Sequence, residues 1–139
     1  MTIPGSSGPG RAQAGSPLVL IVDDNDTNRK LAGDVLRAAG LRTIEAASGG
    51  EGLALAAQQR PQVILLDLRL PDVDGIEVAG RLRDGPETAG IPVVAVTALR
   101  AGHGHASLLA AGFAGYLEKP IDVTRFPQQV RSYCRPFDR

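Results

Sequence analysis

The chain is nearly devoid of cysteine: Cys134 stands alone among 139 residues. One thiol cannot build an internal disulfide framework, and a cysteine-rich zinc site is excluded with it. A reducing compartment suits such a chain. Charge of a dominant sign is also missing, because 15 Lys+Arg balance 15 Asp+Glu. A general electrostatic hold on nucleic acid or anionic lipid is therefore not expected. No apolar run approaches the roughly 18–20 residues that span a bilayer. The N-terminus, Met1-Thr-Ile-Pro-Gly-Ser-Ser-Gly-Pro-Gly, holds no apolar secretory core. The expectation is a soluble cytoplasmic protein with no membrane contact and no direct nucleic-acid partner.

What is present is ordinary globular material. Hydrophobic residues make up 43% and charged residues 22%, enough apolar mass for one packed domain. Residues 1–16 differ, being dominated by Gly, Pro, Ser and Ala. They read as a flexible tail ahead of a single domain over 17–139.

From Leu18 onward short apolar runs alternate with amphipathic ones. Leu18-Val-Leu-Ile-Val22 and Val63-Ile-Leu-Leu66 are continuously apolar, as strands buried on both faces of a parallel sheet are. Leu41–Ala46 is more polar and reads as an edge strand; Ile91–Val96 and Ala114–Leu117 complete five. The first intervening helix is expected to bury Leu31, Val35, Leu36 and Ala39, to take its cap from Asp26 or Thr27, and to stop at Gly40. Ser48 with Glu51 has the form of a capping box for a second helix burying Leu53, Ala56 and Ala57, stopped by Pro61. Asp74 caps a third, carrying Val78, Ala79 and Leu82 and ended by Gly85-Pro86. Gly102 and Gly104 weaken the start of a fourth. The last is expected to begin near Asp122 and bury Val123, Phe126, Val130 and Tyr133, although Pro127 would fit better if it began later, near Phe126. This alternation predicts an α/β fold: a five-stranded parallel sheet with helices on both faces, flavodoxin-like, in strand order 2-1-3-4-5.

Ligands in such sheets bind outside the carboxyl ends of the strands. There the sequence places Asp23 and Asp24 after the first strand, Asp67 after the third, Thr97 after the fourth and Lys119-Pro120 after the fifth. Crowded carboxylates raise one another's pKa unless a cation compensates. A hard cation such as Mg²⁺ answers that problem and keeps waters for an incoming phosphate. Metal, carboxylate nucleophile, hydroxyl and lysine are the parts that phosphoryl transfer needs.

These residues carry a resemblance. Leu20-Ile-Val-Asp-Asp-Asn25, Leu65-Leu-Asp-Leu-Arg-Leu-Pro71 with Asp74-Gly75, Pro92-Val-Val-Ala-Val-Thr-Ala98 and Tyr116-Leu-Glu-Lys-Pro120 are similar to the motifs of two-component response-regulator receiver domains, of the stand-alone type. The resemblance implies that Asp67 accepts a phosphoryl group from a sensor histidine kinase or a histidine phosphotransfer protein. It implies Mg²⁺ on Asp24 and Asp67 directly, on Asp23 through water and on the backbone carbonyl of Arg69. Thr97 would hydrogen-bond the phosphoryl group, Lys119 would pair with it, and Tyr116 would turn inward as Thr97 moves. The Lys119-Pro120 bond would be cis. The implied protein is no enzyme beyond its own phosphorylation and dephosphorylation, and its helix-four, strand-five, helix-five face would meet a downstream protein target.

Two other readings share the residue set. One is an unphosphorylated receiver-like interaction module. The other is a haloacid-dehalogenase-type phosphatase, disfavoured because Arg69 stands where its second aspartate belongs. His103 and His105 have no third ligand at metal spacing, and Cys134 reads as a packing residue. Arg125, Arg131, Arg135 and Arg139 read as a solvated basic side of the last helix.

Overall fold

The computed structural model describes residues 16–98 and 105–134. The expectations placed on the N-terminal tail through Gly15, on Gly102, His103 and Gly104, and on Arg135 and Arg139 lie outside the described residues. The elements run β1 (Leu18–Val22), α1 (Asp26–Ala38), β2 (Arg42–Ala46), α2 (Gly49–Gln59), β3 (Val63–Asp67), α3 (Gly75–Asp84), β4 (Val93–Thr97), α4 (His105–Ala110), β5 (Gly115–Glu118) and α5 (Phe126–Tyr133). All strands pair in parallel, in the order β2-β1-β3-β4-β5. The half-exposed β2 is an edge strand, as its polar residues predict.

Both faces of the sheet are covered, and the side chains of β1 divide between them by parity. Val19 and Ile21 join Leu36, Leu65, Leu117, Phe126 and Val130 beneath α1 and α5. Leu20 and Val22 join Ile64, Leu66, Val78, Leu82 and Phe113 beneath α2, α3 and α4. Each large side chain so enclosed contributes roughly 1.5–3 kcal/mol of apolar burial. Two cores back to back hold the strands rigid, and that rigidity fixes what projects from their ends.

Several local expectations are corrected. The α1 cap is Asn25, whose side chain accepts from the Asn28 amide, rather than Asp26 or Thr27. Leu31 is 42% exposed, and the buried seam of α1 runs through Ala32, Gly33 and Leu36. Ala57 is exposed, while Ala56 is buried. Glu51 closes its half of the capping box on the Ala47 amide instead of that of Ser48. The last helix starts late, at Phe126, with Pro127 in its first turn; Val123 falls in the preceding turn and is 47% exposed. Ahead of β1, the Ser16 carbonyl accepts two bonds from the Arg42 guanidinium.

The loop after β3 is stapled to α2. Asp72 accepts from the Gly49 and Gly50 amides at 2.9 and 3.0 Å, and these bonds, Gly50's first, hold its carboxyl below the usual range. A depressed acid stabilises the fold above its unfolded pKa and loses that contribution as pH falls through the folded value. Asp72→Asn is therefore expected to lower stability at pH 7 and to flatten the acid limb of a melting-temperature profile taken down to pH 3. Parallel acid limbs for the two proteins would count against the staple.

Candidate functional site

Asp23 follows β1 directly and is held there by its own main chain. Its amide donates to the Ala46 carbonyl at 3.1 Å, and its carbonyl accepts from Arg29 Nη1 at 2.7 Å. Its carboxylate then folds over the next turn, accepting the Asn25 amide at 2.9 Å. Asp67 ends β3, buried, with Oδ1 accepting the Arg69 amide at 3.0 Å. The chain can double back so closely only because Gly75 opens α3: a Cβ there would lie 2.7 Å from the Leu68 Cα and 3.0 Å from the Asp67 carbonyl oxygen.

Lys119 comes from the opposite side. Its amide donates to the Thr97 carbonyl at 2.8 Å, and the bond to Pro120 is cis. Its Nζ stands 3.4 Å from Asp23 Oδ2 and 3.5 Å from Asp67 Oδ1. Asp24 is exposed, yet Asp23, Asp24 and Asp67 each offer a carboxylate oxygen within 4.8 Å of the others. A cavity of about 440 Å³ is lined by Asp23, Asp24, Asp67, Arg69, Thr97 and Lys119, among others. Six of the residues singled out in the sequence thus share one cavity. Tyr116 does not; it lines a separate groove with Gln129 and Tyr133.

Burial pushes the Asp67 carboxyl above its ordinary value, and the nearby Asp23 adds to the rise; the Arg69 amide and Lys119 oppose it. Three carboxylates against one ammonium leave an anionic excess in a concave, oxygen-lined site. That donor set fits a hard cation of the Mg²⁺ kind and offers no soft ligand.

A family model, the response regulator receiver domain, matches residues 19–131. The chain belongs to the response-regulator receiver family. Its relatives include the polar-differentiation response regulators DivK of Brucella anthropi and Brucella ovis, each 43% identical over 115 residues that cover 83% of this chain and 94% of the relative. Among solved structures the receiver is similar to the chemotaxis response regulator CheY4 of Vibrio cholerae, with TM-score 0.80, 27% identity and coverage of 85% and 98% of the two chains. It is also similar to the receiver domain of a Pseudomonas aeruginosa sensor histidine kinase, with TM-score 0.77, 29% identity and coverage of 85% and 97%. That neighbour has a magnesium ion coordinated in its active-site cleft. Phosphorelay signalling is the work of the family. No helix among the receiver's described residues is long and apolar enough to cross a membrane.

The structure adds residues that motif reading missed. Arg29 grips the Asp23 main chain, and Arg131, exposed as the solvated basic side requires, also donates to the Ala39 carbonyl at 2.6 Å and so ties α5 to the end of α1. The Arg29–Asp26 pair at i,i+3 carried a local signal; the contact to Asp23 did not. Leu31, too, has a place. It lines a second, mainly apolar cavity of about 340 Å³ with Ala32, Ile121 and Phe126, adjoining the acidic one through Asp23, Asp67 and Lys119. Cys134 is half-buried, with burial pushing its thiol pKa up, which fits packing better than reactivity.

Proposed function

We propose that this receiver accepts a phosphoryl group on Asp67 from the phosphohistidine of a sensor kinase or phosphotransfer protein in the cytoplasm. Asp23, Asp24, Asp67 and the Arg69 carbonyl would hold Mg²⁺, which supplies charge neutralisation at the phosphoryl oxygens when bound. The observation that carries the reading is the single ammonium of Lys119 placed between two buried carboxylates, beside a third, in one cavity.

In the step itself an Asp67 carboxylate oxygen attacks phosphorus. The P–N bond breaks, and the departing imidazole nitrogen takes up a proton. Lys119 is close enough to exchange its carboxylate partners for a phosphoryl oxygen, and Thr97, at the end of β4, offers a hydroxyl. Chemistry of this kind is mostly positioning and electrostatics, so the fixed strand ends do the essential part.

The acyl phosphate adds about −1.5 to −2 charges. Thr97 and Tyr116 lie on adjacent strands whose register pairs Ala95 with Tyr116 and Thr97 with Glu118. In parallel pairing this puts Thr97 and Tyr116 on the same face of the sheet, one step apart. A pull on Thr97 therefore reaches Tyr116 and the α4–β5–α5 face, where a downstream protein would read it.

Intact mass after acetyl phosphate and Mg²⁺ tests the reading. One phosphoryl adduct is expected on the wild type and none in EDTA or on Asp67→Asn. An adduct surviving in Asp67→Asn would remove Asp67 as acceptor. A wild type that never gains the adduct would favour the unphosphorylated interaction module, and sustained phosphate release from a phosphomonoester would favour a phosphatase.

A further inference from the structure

We propose that Arg29 is a positioning residue for the metal carboxylates, acting through the main chain of Asp23; the proposal rests on the metal-binding reading of the acidic cavity. Its side chain is only 16% exposed and meets three segments at once. Nη1 donates to the Asp23 carbonyl at 2.7 Å, Nε to Glu45 on β2 at 3.2 Å, and Nη2 to Asp26 in the first turn of α1 at 2.5 Å. A planar guanidinium offers its donors in fixed directions, so these three bonds define one geometry.

The Asp23 peptide is consequently held from both sides, its amide by β2 and its carbonyl by Arg29. That carbonyl belongs to the peptide joining Asp23 to Asp24, so its direction sets where both carboxylates leave the chain. Without Arg29 the carbonyl would need water as its partner, and the turn closed by the Asn25 amide on Asp23 Oδ1 would lose its outer brace.

Arg29 also bears a positive charge, and charge alone would oppose a cation at the neighbouring acids. Asp26 and Glu45 already neutralise that charge locally. Positioning and charge thus act on Mg²⁺ affinity with opposite signs, and the geometry makes positioning the larger. Disturbing the groups that orient metal ligands weakens metal binding by roughly 10–100-fold in other proteins.

The test is calorimetric titration of the metal-free 139-residue chain with Mg²⁺, beside hydrogen exchange of the Asn25 amide without metal. Arg29→Gln is expected to bind Mg²⁺ about tenfold more weakly and to exchange Asn25 faster. Arg29→Lys keeps the charge but presents one nitrogen to three acceptors, and is expected to fall short of the wild type in both measurements. Glu45→Gln, which removes the ion pairs of Glu45 with both Arg29 and Arg37 but keeps an oxygen to accept the Nε bond, is expected to lower the melting temperature and leave Asn25 exchange in place. Unchanged or tighter Mg²⁺ binding in Arg29→Gln, or a Lys variant equal to wild type, would overturn the proposal. If the wild type itself takes up no Mg²⁺, the metal reading falls, and Asn25 exchange alone decides whether Arg29 holds the loop.

Discussion

Asp67→Asn is expected to melt at a higher temperature than the wild type when divalent ions are absent, and to lose the stabilisation that Mg²⁺ gives the wild type. The carboxyl of Asp67 is buried at the end of β3 and raised above its ordinary pKa, chiefly by that burial. An acid whose folded pKa exceeds its unfolded one binds more protons when folded. Stability then falls as pH rises from the unfolded value through the folded one, and stays lower above it. At neutral pH the metal-free wild type bears this penalty, compounded by the nearby Asp23. Asparagine has nearly the same shape, can still accept the Arg69 amide bond, and carries no charge to desolvate. Mg²⁺ is expected to reverse the comparison. A ligand at a hundred times its Kd stabilises by about 2.7 kcal/mol, on the order of 10 °C for a domain of this size. Melting curves from pH 4 to 8, with Mg²⁺ and with EDTA, check both halves. A variant less stable than the wild type in EDTA at neutral pH, or one equally stabilised by Mg²⁺, would contradict this account of the site.

The sequence reading and the structure part company along a physical line. Leu18–Val22 and Val63–Leu66 were legible because continuous apolar runs have few other places to go than the middle of a sheet. The polar β2 was legible as an edge for the same reason, reversed. Pro127 carried its own message: without an N–H it belongs in a first turn, and α5 begins accordingly at Phe126. The convergence of Asp23, Asp24 and Asp67 was legible because strand ends are where side chains in such sheets meet. The α1 cap was not, since Asn25, Asp26 and Thr27 are all competent caps and local preference barely separates them. Leu31 and Val123 were misplaced because helical periodicity assigns a face without knowing where a helix begins or a cavity opens. The bonds from Arg29 to Asp23, Gly49 to Asp72 and Arg131 to Ala39 depend on how the folded segments meet and not on local pattern. No period announces them.

Lys119→Ala should slow phosphoryl uptake by roughly 10²–10³-fold, as removal of one preorganised charge-stabilising donor does elsewhere, while tightening Mg²⁺ binding. The ammonium stands 3.4 Å from Asp23 and 3.5 Å from Asp67, and it pulls the Asp67 carboxyl down against the rise that burial imposes. Its removal has three separable effects. The Asp67 carboxyl rises further, so less of it is the ionised nucleophile at a given pH, and the rate–pH profile moves to higher pH. A phosphoryl oxygen loses its cationic partner, so the rate stays low even where Asp67 is fully ionised. The acid cluster becomes more negative, so a divalent cation is held more firmly. The opposite signs of the last two matter, because a slow variant with firmer metal binding cannot owe its slowness to a missing metal. Lys119→Arg separates them further. It retains the charge and is expected to return the profile towards its wild-type pH, but its planar fork cannot copy the approach of an ammonium, so the plateau rate should recover only in part. The measurements are phosphorylation rates with acetyl phosphate at saturating Mg²⁺ from pH 5 to 9, and Mg²⁺ titrations of each protein. A Lys119→Ala variant with a wild-type plateau rate, or one that binds Mg²⁺ more weakly, would mean that Lys119 serves the fold alone and not the transfer.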